Sequence, residues 1–337
     1  MGRQLVRAAA VLATLAVSAV FGYFAVRGVN FGGVWRALHT SNYWWLVPSL
    51  VVLGVSILVR AIRWGVLFQP HRRPPLGSLV KATIIGYFFN SILPARAGEA
   101  ARIVALKHYA GTSRAETTGT VVVERIFDVS SLIVLLFALV AWLPPVSWLK
   151  PAAFVAFACL AAGAGLGLFV RQVSRRPSPW GLRLLSRLPG LREETVYRLT
   201  TNAAYGLATL TRLRQAVTVL AWTYLSWLLL GLSFWFLMIG FRLGLSPLAG
   251  LLVVIATGLA FIIPAAPAAV GVFEAAGLAV TSAYGVPRSE AFAYVLVLHA
   301  LNLVPFLVAA PLVLAQEARA RRASSHALRR DYDPRPR

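Results

Sequence analysis

The chain has 337 residues, of which 58% are hydrophobic and 13% are charged, about half the charged fraction of a typical soluble domain. This composition excludes a soluble globular domain and predicts a polytopic helical membrane protein. A net charge of +22 would suggest nucleic acid as the partner of a soluble protein. Here the arginines and lysines flank apolar runs, as topogenic charges do, and no nucleic-acid partner is expected.

Six apolar runs are long enough to cross a bilayer as helices. They cover residues 5–26, 43–59, 117–143, 151–170, 216–239 and 289–315. The first run follows a basic start, as the apolar core of a signal peptide does. Its length of about 22 residues is enough to span the membrane, and it is predicted to be an uncleaved first helix.

Two further apolar regions, 79–110 and 247–284, fit poorly as simple spans because a proline break divides each one. The basic segments 60–81 and 171–215 and the basic tail are predicted to be cytoplasmic by the positive-inside rule. That orientation requires each broken region to enter and leave the membrane on the same side. The expected fold is therefore an all-α membrane bundle of six full spans and two oppositely oriented re-entrant hairpins, with both termini cytoplasmic.

The two halves of the chain resemble each other at a shift of about 175 residues. The breaks Leu93-Pro94 and Ile263-Pro264 correspond, and polar positions coincide as well. The matched polar pairs are Glu99 with Glu274, Arg125 with His299, and Asp128 with Asn302. An odd number of crossings per half predicts an inverted repeat, with repeat 1 at about 5–143 and repeat 2 at about 151–315 in a single domain. The alternative is chance similarity between segments rich in alanine and valine.

Charged side chains at membrane depth are the main functional signal. Glu124 and Asp128 are four residues apart on one helix face, and Arg125 and Asp128 are three apart and can pair. These groups either line a substrate pathway or form an ion-pair network that holds a hairpin against a span. The two interpretations are compatible.

The first hairpin carries the candidate headgroup site. Arg96, Glu99 and Arg102 bracket a short helix after Pro94, whose free N–H groups and guanidinium donors suit a phosphodiester. Asn90 lies just before the break and is included in the candidate site. Arg60 and Arg63 end the second span; topogenic anchoring is favoured for them over an extension of the basic patch.

In the second half, Glu274 lies in an otherwise uncharged apolar stretch. It is expected to be a protonatable carboxylate or the partner of a first-half arginine. His299 is a candidate proton carrier, although packing is the more common role of a lone apolar-face histidine. Asn302 completes the candidate substrate-binding residues.

Residues 171–215 combine arginine with leucine and tryptophan, which predicts an interfacial helix on anionic inner-leaflet lipids. The basic tail 317–337 is predicted to be disordered. The single cysteine and the lack of HExxH, Walker, GxSxG or Asp-rich motifs predict no metal, cofactor or catalytic centre.

The segments LPARAGEAARIVALKHYAGTSRAETTGTVVVERIFD and IPAAPAAVGVFEAAGLAVTSAYGV resemble the lysylphosphatidylglycerol synthase transmembrane region, a flippase-like family. Its pattern falls on three sets of residues: Leu93, Pro94, Arg96, Gly98 and Glu99; Glu124, Arg125 and Asp128; and Pro264, Gly271 and Glu274. The resemblance covers about residues 10–315 and implies a domain that moves or holds a lipid. Alanines stand beside Arg96, where the family often has glycines. The soluble synthase domain is not matched, so aminoacyl transfer is not implied.

The sequence thus predicts a lipid translocase of the bacterial inner membrane that holds a phospholipid or polyprenyl-phosphate headgroup between the hairpins. One alternative is an intramembrane transferase acting on a lipid-linked substrate, with Glu124 or Asp128 as the base. Another is a membrane anchor for a separate lipid-modifying enzyme.

Overall fold

The computed structural model describes residues 2–93, 97–139, 213–261 and 265–331, and in this part of the chain it contains helices and no strands. We label its α-helices α1 (Gly2–Val26), α2 (Phe31–Thr40), α3 (Leu46–Val66), α4 (Leu76–Ile92), α5 (Gly98–Ala110), α6 (Arg114–Leu139), α7 (Leu213–Gly240), α8 (Pro247–Ala260), α9 (Val272–Ala283) and α10 (Arg288–Asp331). The predicted all-helical membrane protein is confirmed at this level.

Among the described residues, three helices are long and apolar enough to cross a membrane: Tyr43–Val66, Arg214–Gly240 and Arg288–Arg319. The pair Leu12–Val26 and Phe31–Thr40 passes the same test together, although it bends by 79°. These helices include the predicted spans 43–59, 216–239 and 289–315. The predicted span 117–143 corresponds to α6 as far as Leu139, and 151–170 lies outside the described residues. The count of six full spans therefore stays a prediction.

The two broken regions form short helices packed in pairs, α4 with α5 and α8 with α9. These helices have 17, 13, 14 and 12 residues, fewer than the roughly 20 needed to span a bilayer. In the first pair, Ser78 at the start of α4 donates to the carbonyl of Tyr109 at the end of α5 at 3.4 Å. The start of α4 therefore lies next to the end of α5, as in a helical hairpin. The breaks at 94–96 and 262–264, with Pro94 and Pro264, lie outside the described residues.

Close approach of α4 and α5 depends on glycine. A Cβ atom at Gly98 would collide with the carbonyl oxygen of Gly86 and would lie 2.6 Å from the backbone nitrogen of Asn90. The Gly98 N–H instead donates to the side-chain oxygen of Asn90 at 2.9 Å. Asn90 thus joins the two arms of the hairpin beside the break.

Helices α3 and α7 pack along each other in antiparallel directions, joined by two buried serine pairs. Ser49 donates to the carbonyl of Ser233 at 2.7 Å, and Ser233 donates back to the carbonyl of Ser49 at 2.8 Å. About two helical turns further along α3, Ser56 donates to the carbonyl of Ser226 at 3.0 Å. Small polar side chains allow this close packing between apolar helices. The interface places α3 of the first half directly against α7 of the second half.

The predicted disorder of the tail is wrong for residues 317–331, because α10 continues to Asp331. Alanine and arginine supply nine of the fifteen residues 317–331, and they are strong helix formers that extend an existing helix at little cost. Lys81 on α4 also forms an ion pair with Glu317. Residues 332–337 and most of the predicted interfacial segment, 171–212, lie outside the described residues.

Candidate functional site

A fully buried arginine holds the two carboxylates that the sequence places on one face of α6. The side chain of Arg63 has 0% exposure. Its guanidinium donates to Glu124 Oε1 at 2.8 Å and to Asp128 Oδ1 at 2.5 Å. It also donates to Thr223 Oγ1 on α7 at 3.1 Å. This one side chain therefore joins α3, α6 and α7.

Arg102 attaches the first hairpin to the same cluster. Its guanidinium forms an ion pair with Glu124 Oε2 at 3.0 Å. The guanidinium carbon also lies 3.5 Å from the centre of the Trp64 ring, a favourable cation–π geometry. Trp64 is fixed in turn, because its indole N–H donates to Thr120 Oγ1 at 3.0 Å. The ion-pair network predicted between hairpin and span is thus present.

Arg125 links α6 to Glu99 on α5. Its Nε lies 2.7 Å from Glu99 Oε1, and its Nη1 lies 3.5 Å from Asp128 Oδ2. The side chain of Arg125 retains 34% exposure. Unlike Arg63, it therefore has one side available for a ligand.

The second half repeats this pairing with different residues. His299 Nδ1 on α10 lies 2.5 Å from Glu274 Oε1 on α9, where the first half has Arg125 and Glu99. Within the described residues, Glu274 therefore pairs inside its own half and not with a first-half arginine. Its other oxygen, Oε2, accepts from the Gly271 N–H at 2.7 Å. His299 also stacks on Phe273, with the ring centres 4.5 Å apart.

A cavity of about 370 Å³ lies between the two halves and receives side chains from both. Seven predicted site residues line it: Arg60, Asn90, Glu99, Arg125, Asp128, His299 and Asn302. Four others lie behind its wall, in contact with lining residues or with the same cluster: Arg63, Arg102, Glu124 and Glu274. Arg96 lies outside the described residues.

Two arginines line the cavity among the described residues. Of these, Arg60 has no carboxylate oxygen within 4.0 Å. Its residue exposure is 7%, and its guanidinium carbon lies 4.2 Å from the centre of the Trp227 ring on α7. The cluster on α3, α5 and α6 contains four arginines and three carboxylates among the described residues. This cluster therefore carries one excess positive charge, and Arg60 is its arginine with no carboxylate oxygen within 4.0 Å.

Topogenic anchoring does not describe the positions of Arg60 and Arg63. Helix α3 continues to Val66, and both arginines are buried against α6 and α7. Their place at the end of an apolar run predicts an interfacial position, because nothing in the sequence identifies Trp227 and Thr223 as their neighbours on α7. A tryptophan and a threonine inside an apolar helix are common, and no sequence signal connected them with α3.

The donor set favours an anion over a metal. Within the described residues, no group of three histidine, cysteine or carboxylate side chains is arranged to hold a metal ion. Each cluster carboxylate already contacts at least one arginine. Arg60 and the open side of Arg125 offer planar donors suited to a phosphate oxygen. Arg60 and Arg125 therefore suit an anion better than a cation.

The chain is similar to known membrane proteins. The profile of a family described as "Lysylphosphatidylglycerol synthase TM region" matches residues 11–310. The UPF0104 membrane protein MJ1078 of Methanocaldococcus jannaschii is 27% identical over 214 residues, which cover 64% of this chain and 87% of that protein.

Proposed function

This chain belongs to the lysylphosphatidylglycerol synthase transmembrane region family, and we propose that it is a translocase for a lipid with an anionic phosphate headgroup. The protein is an integral membrane protein of a lipid-related family. The headgroup would occupy the cavity between the halves, with the phosphate at Arg60 and the acyl or polyprenyl chain directed toward the bilayer.

The observation that carries the proposal is Arg60, which lines a cavity between both halves and belongs to a cluster with one more arginine than carboxylates among the described residues. A buried arginine with no carboxylate within 4.0 Å is costly unless water or an anion approaches it. Arg60 faces the cavity beside Trp227, and Arg125 has an open side on the same wall. A phosphate there would complete the charge balance of the described cluster. Apolar side chains such as Leu230 and Phe306 line the rest and suit the first carbons of a lipid chain.

An inverted repeat explains how such a site could open to either leaflet. The equivalent pairs Glu99–Arg125 and Glu274–His299 support this relationship between the halves. A second support is the pair of buried serines on each side of the α3–α7 interface, seven residues apart in both halves. They are Ser49 and Ser56 in the first half and Ser226 and Ser233 in the second.

In the proposed mechanism, the two short hairpins enter from opposite leaflets and meet at the cavity. Movement of one hairpin against its own half would open the cavity to one leaflet, while the other hairpin closes the opposite side. The network of Arg63, Arg102 and Glu124 holds the first hairpin to α3 and α6. Glu124 contacts both Arg63 and Arg102. If its contact with one of these arginines breaks, the carboxylate is still paired with the other.

Reconstituted vesicles test the proposal through Arg60. In vesicles with fluorescent phosphatidylglycerol, Arg60→Gln should reduce the rate of transbilayer movement by about 10- to 100-fold. This range corresponds to the loss of one charge-assisted hydrogen bond of about 1.5–3 kcal/mol. The rate would be measured by chemical quenching of label in the outer leaflet.

Arg36→Gln is the matched control, because Arg36 is exposed on α2 and far in sequence from the cluster. It should leave the rate within about twofold of the unmodified protein. Equal rates for Arg60→Gln and the unmodified protein, with both folded, would contradict the assignment of the headgroup site. Failure of the unmodified protein to move any phosphate-bearing lipid would contradict the function itself.

A further inference from the structure

The contacts of His299 fix the number of protons that it shares with Glu274. The ring Nε2 lies 3.1 Å from the carbonyl oxygen of Ala268, and a carbonyl oxygen can only accept. This contact requires a proton on Nε2. The other nitrogen, Nδ1, lies 2.5 Å from Glu274 Oε1, and that contact requires a second proton, on either the nitrogen or the oxygen. The neutral imidazole with an ionised carboxylate holds one proton too few for both contacts.

We propose that His299 and Glu274 form a proton-binding site in the cavity wall, and that release and rebinding of this second proton is coupled to headgroup movement. The transport part of this inference rests on the proposed function. On release, the proton leaves the Nδ1···Oε1 contact for water or for a phosphate oxygen in the cavity. No other covalent bond changes, and the pair goes from net neutral to a charge of −1.

The released state has a structural consequence in the second hairpin. Without the second proton, the Nδ1 lone pair faces an ionised oxygen at close range. Moving the remaining proton to Nδ1 restores that contact but breaks the one to Ala268. Ala268 and Ala269 have φ angles of 59° and 57°, a region that is unfavourable for residues other than glycine. Their segment lines the cavity, so loss of the contact would free a strained part of its wall.

The first half lacks this property although its geometry is equivalent. Its pair, Arg125 with Glu99, uses a guanidinium that stays protonated in proteins. Histidine is the side chain that ordinarily gains and loses a proton near neutral pH. Of the two equivalent residues, Arg125 and His299, only His299 can therefore exchange a proton. This difference makes the two halves functionally unequal.

The surroundings of the pair contain few competing charges among the described residues. The carboxylate that α9 places next to His299 is Glu274. On α10, the hydroxyl of Tyr294 donates to the Phe234 carbonyl on α7 at 3.2 Å. Helix α2 meets α10 near Ser289, whose hydroxyl accepts from the Asn30 N–H. The other ionisable groups that line the same cavity are Arg60, Tyr87, Glu99, Arg125 and Asp128, on α3 to α6.

Vesicles with an imposed pH difference test the coupling. If one proton moves with each lipid, a difference of one pH unit should shift the steady-state ratio of labelled phosphatidylglycerol between leaflets by up to about tenfold. A trapped pH dye should record proton movement that depends on the lipid. The matched variant is His299→Arg, which converts the pair into the permanent form found in the first half. In this variant the ratio of labelled lipid between the leaflets should not depend on the imposed pH difference, whatever the rate of lipid movement.

Two results would overturn the inference. In the first, the unmodified protein moves lipid with no response to the pH difference and no proton movement, which leaves the proposed function intact. The second comes from nitrogen NMR of the histidines in lipid nanodiscs, which does not depend on transport. The chain has five histidines, and the His299→Arg variant identifies the signal of His299. Unchanged single protonation of His299 from about pH 5 to 9 would contradict the proton site.

Discussion

Replacement of Arg63 by methionine is the sharpest test of the charged cluster. Methionine preserves much of the length and apolar volume of the side chain while removing the charge. Arg63 is fully buried and is the shared partner of Glu124 and Asp128. The variant leaves both carboxylates within the helix bundle, at 4% side-chain exposure, where water solvates them poorly. We expect Arg63→Met to lower the free energy of unfolding more than removal of any exposed arginine.

The size of the effect follows from what the carboxylates retain. Removal of one partner from a buried ion pair costs about 3–5 kcal/mol. Glu124 keeps Arg102 at 3.0 Å, and Asp128 keeps Arg125 at 3.5 Å, so neither is left wholly unpaired. We therefore expect the low end of the range, about 3 kcal/mol, or more than a hundredfold change in the unfolding equilibrium.

Reversible unfolding in mixed micelles, followed by tryptophan fluorescence, measures this free energy. Arg36→Met, at an exposed position on α2, should change it by less than about 0.5 kcal/mol. The double variant Arg63→Met with Asp128→Asn should be less destabilised than the sum of the single variants, because the second change removes the orphaned charge. A cost for Arg63→Met equal to that for Arg36→Met would refute the buried-network reasoning. So would strict additivity with Asp128→Asn.

Three further variants test the packing. Gly271→Ala should lower the melting temperature in detergent, because Gly271 has a φ of 86° and a Cβ there would collide with the Ser18 carbonyl; a melting temperature equal to that of the unmodified protein would contradict this. Ser49→Ala and Ser233→Ala should each cost about 1 kcal/mol and should combine less than additively, since they remove a shared contact; additive costs would argue against the pair. Lys81→Met should release α10 near Glu317, seen as faster amide hydrogen exchange there, and unchanged exchange would contradict it.

Much of the site was predictable because charge is rare in apolar sequence. Glu124 and Asp128 were placed on one face by helical spacing alone, and both are buried on that face. The correspondence of Glu99 with Glu274 and of Arg125 with His299 came from the sequence shift, and in each half the structure pairs the two corresponding residues, a contact that the shift did not predict. A charged residue in such a background must be partnered, so its presence already predicts a nearby group of opposite charge.

The partners themselves were less predictable. Arg63 was expected to lie at the membrane surface, but the extension of α3 to Val66 carries it inside. Its position depends on α6 and α7 approaching from distant parts of the chain. The tail was expected to be disordered from its charge, but a helix already formed by the apolar part of α10 continues through it. Local composition cannot report either effect.

The amino-acid sequence determined that this protein is helical, that it resides in a membrane and that its polar residues concentrate near two broken segments. These properties follow from hydrophobicity and proline, which act locally along the chain. Only the tertiary structure decided which arginines are neutralised and which one faces the cavity. That depends on distances between side chains on different helices: Arg63 meets two carboxylates, whereas Arg60 meets the ring of Trp227.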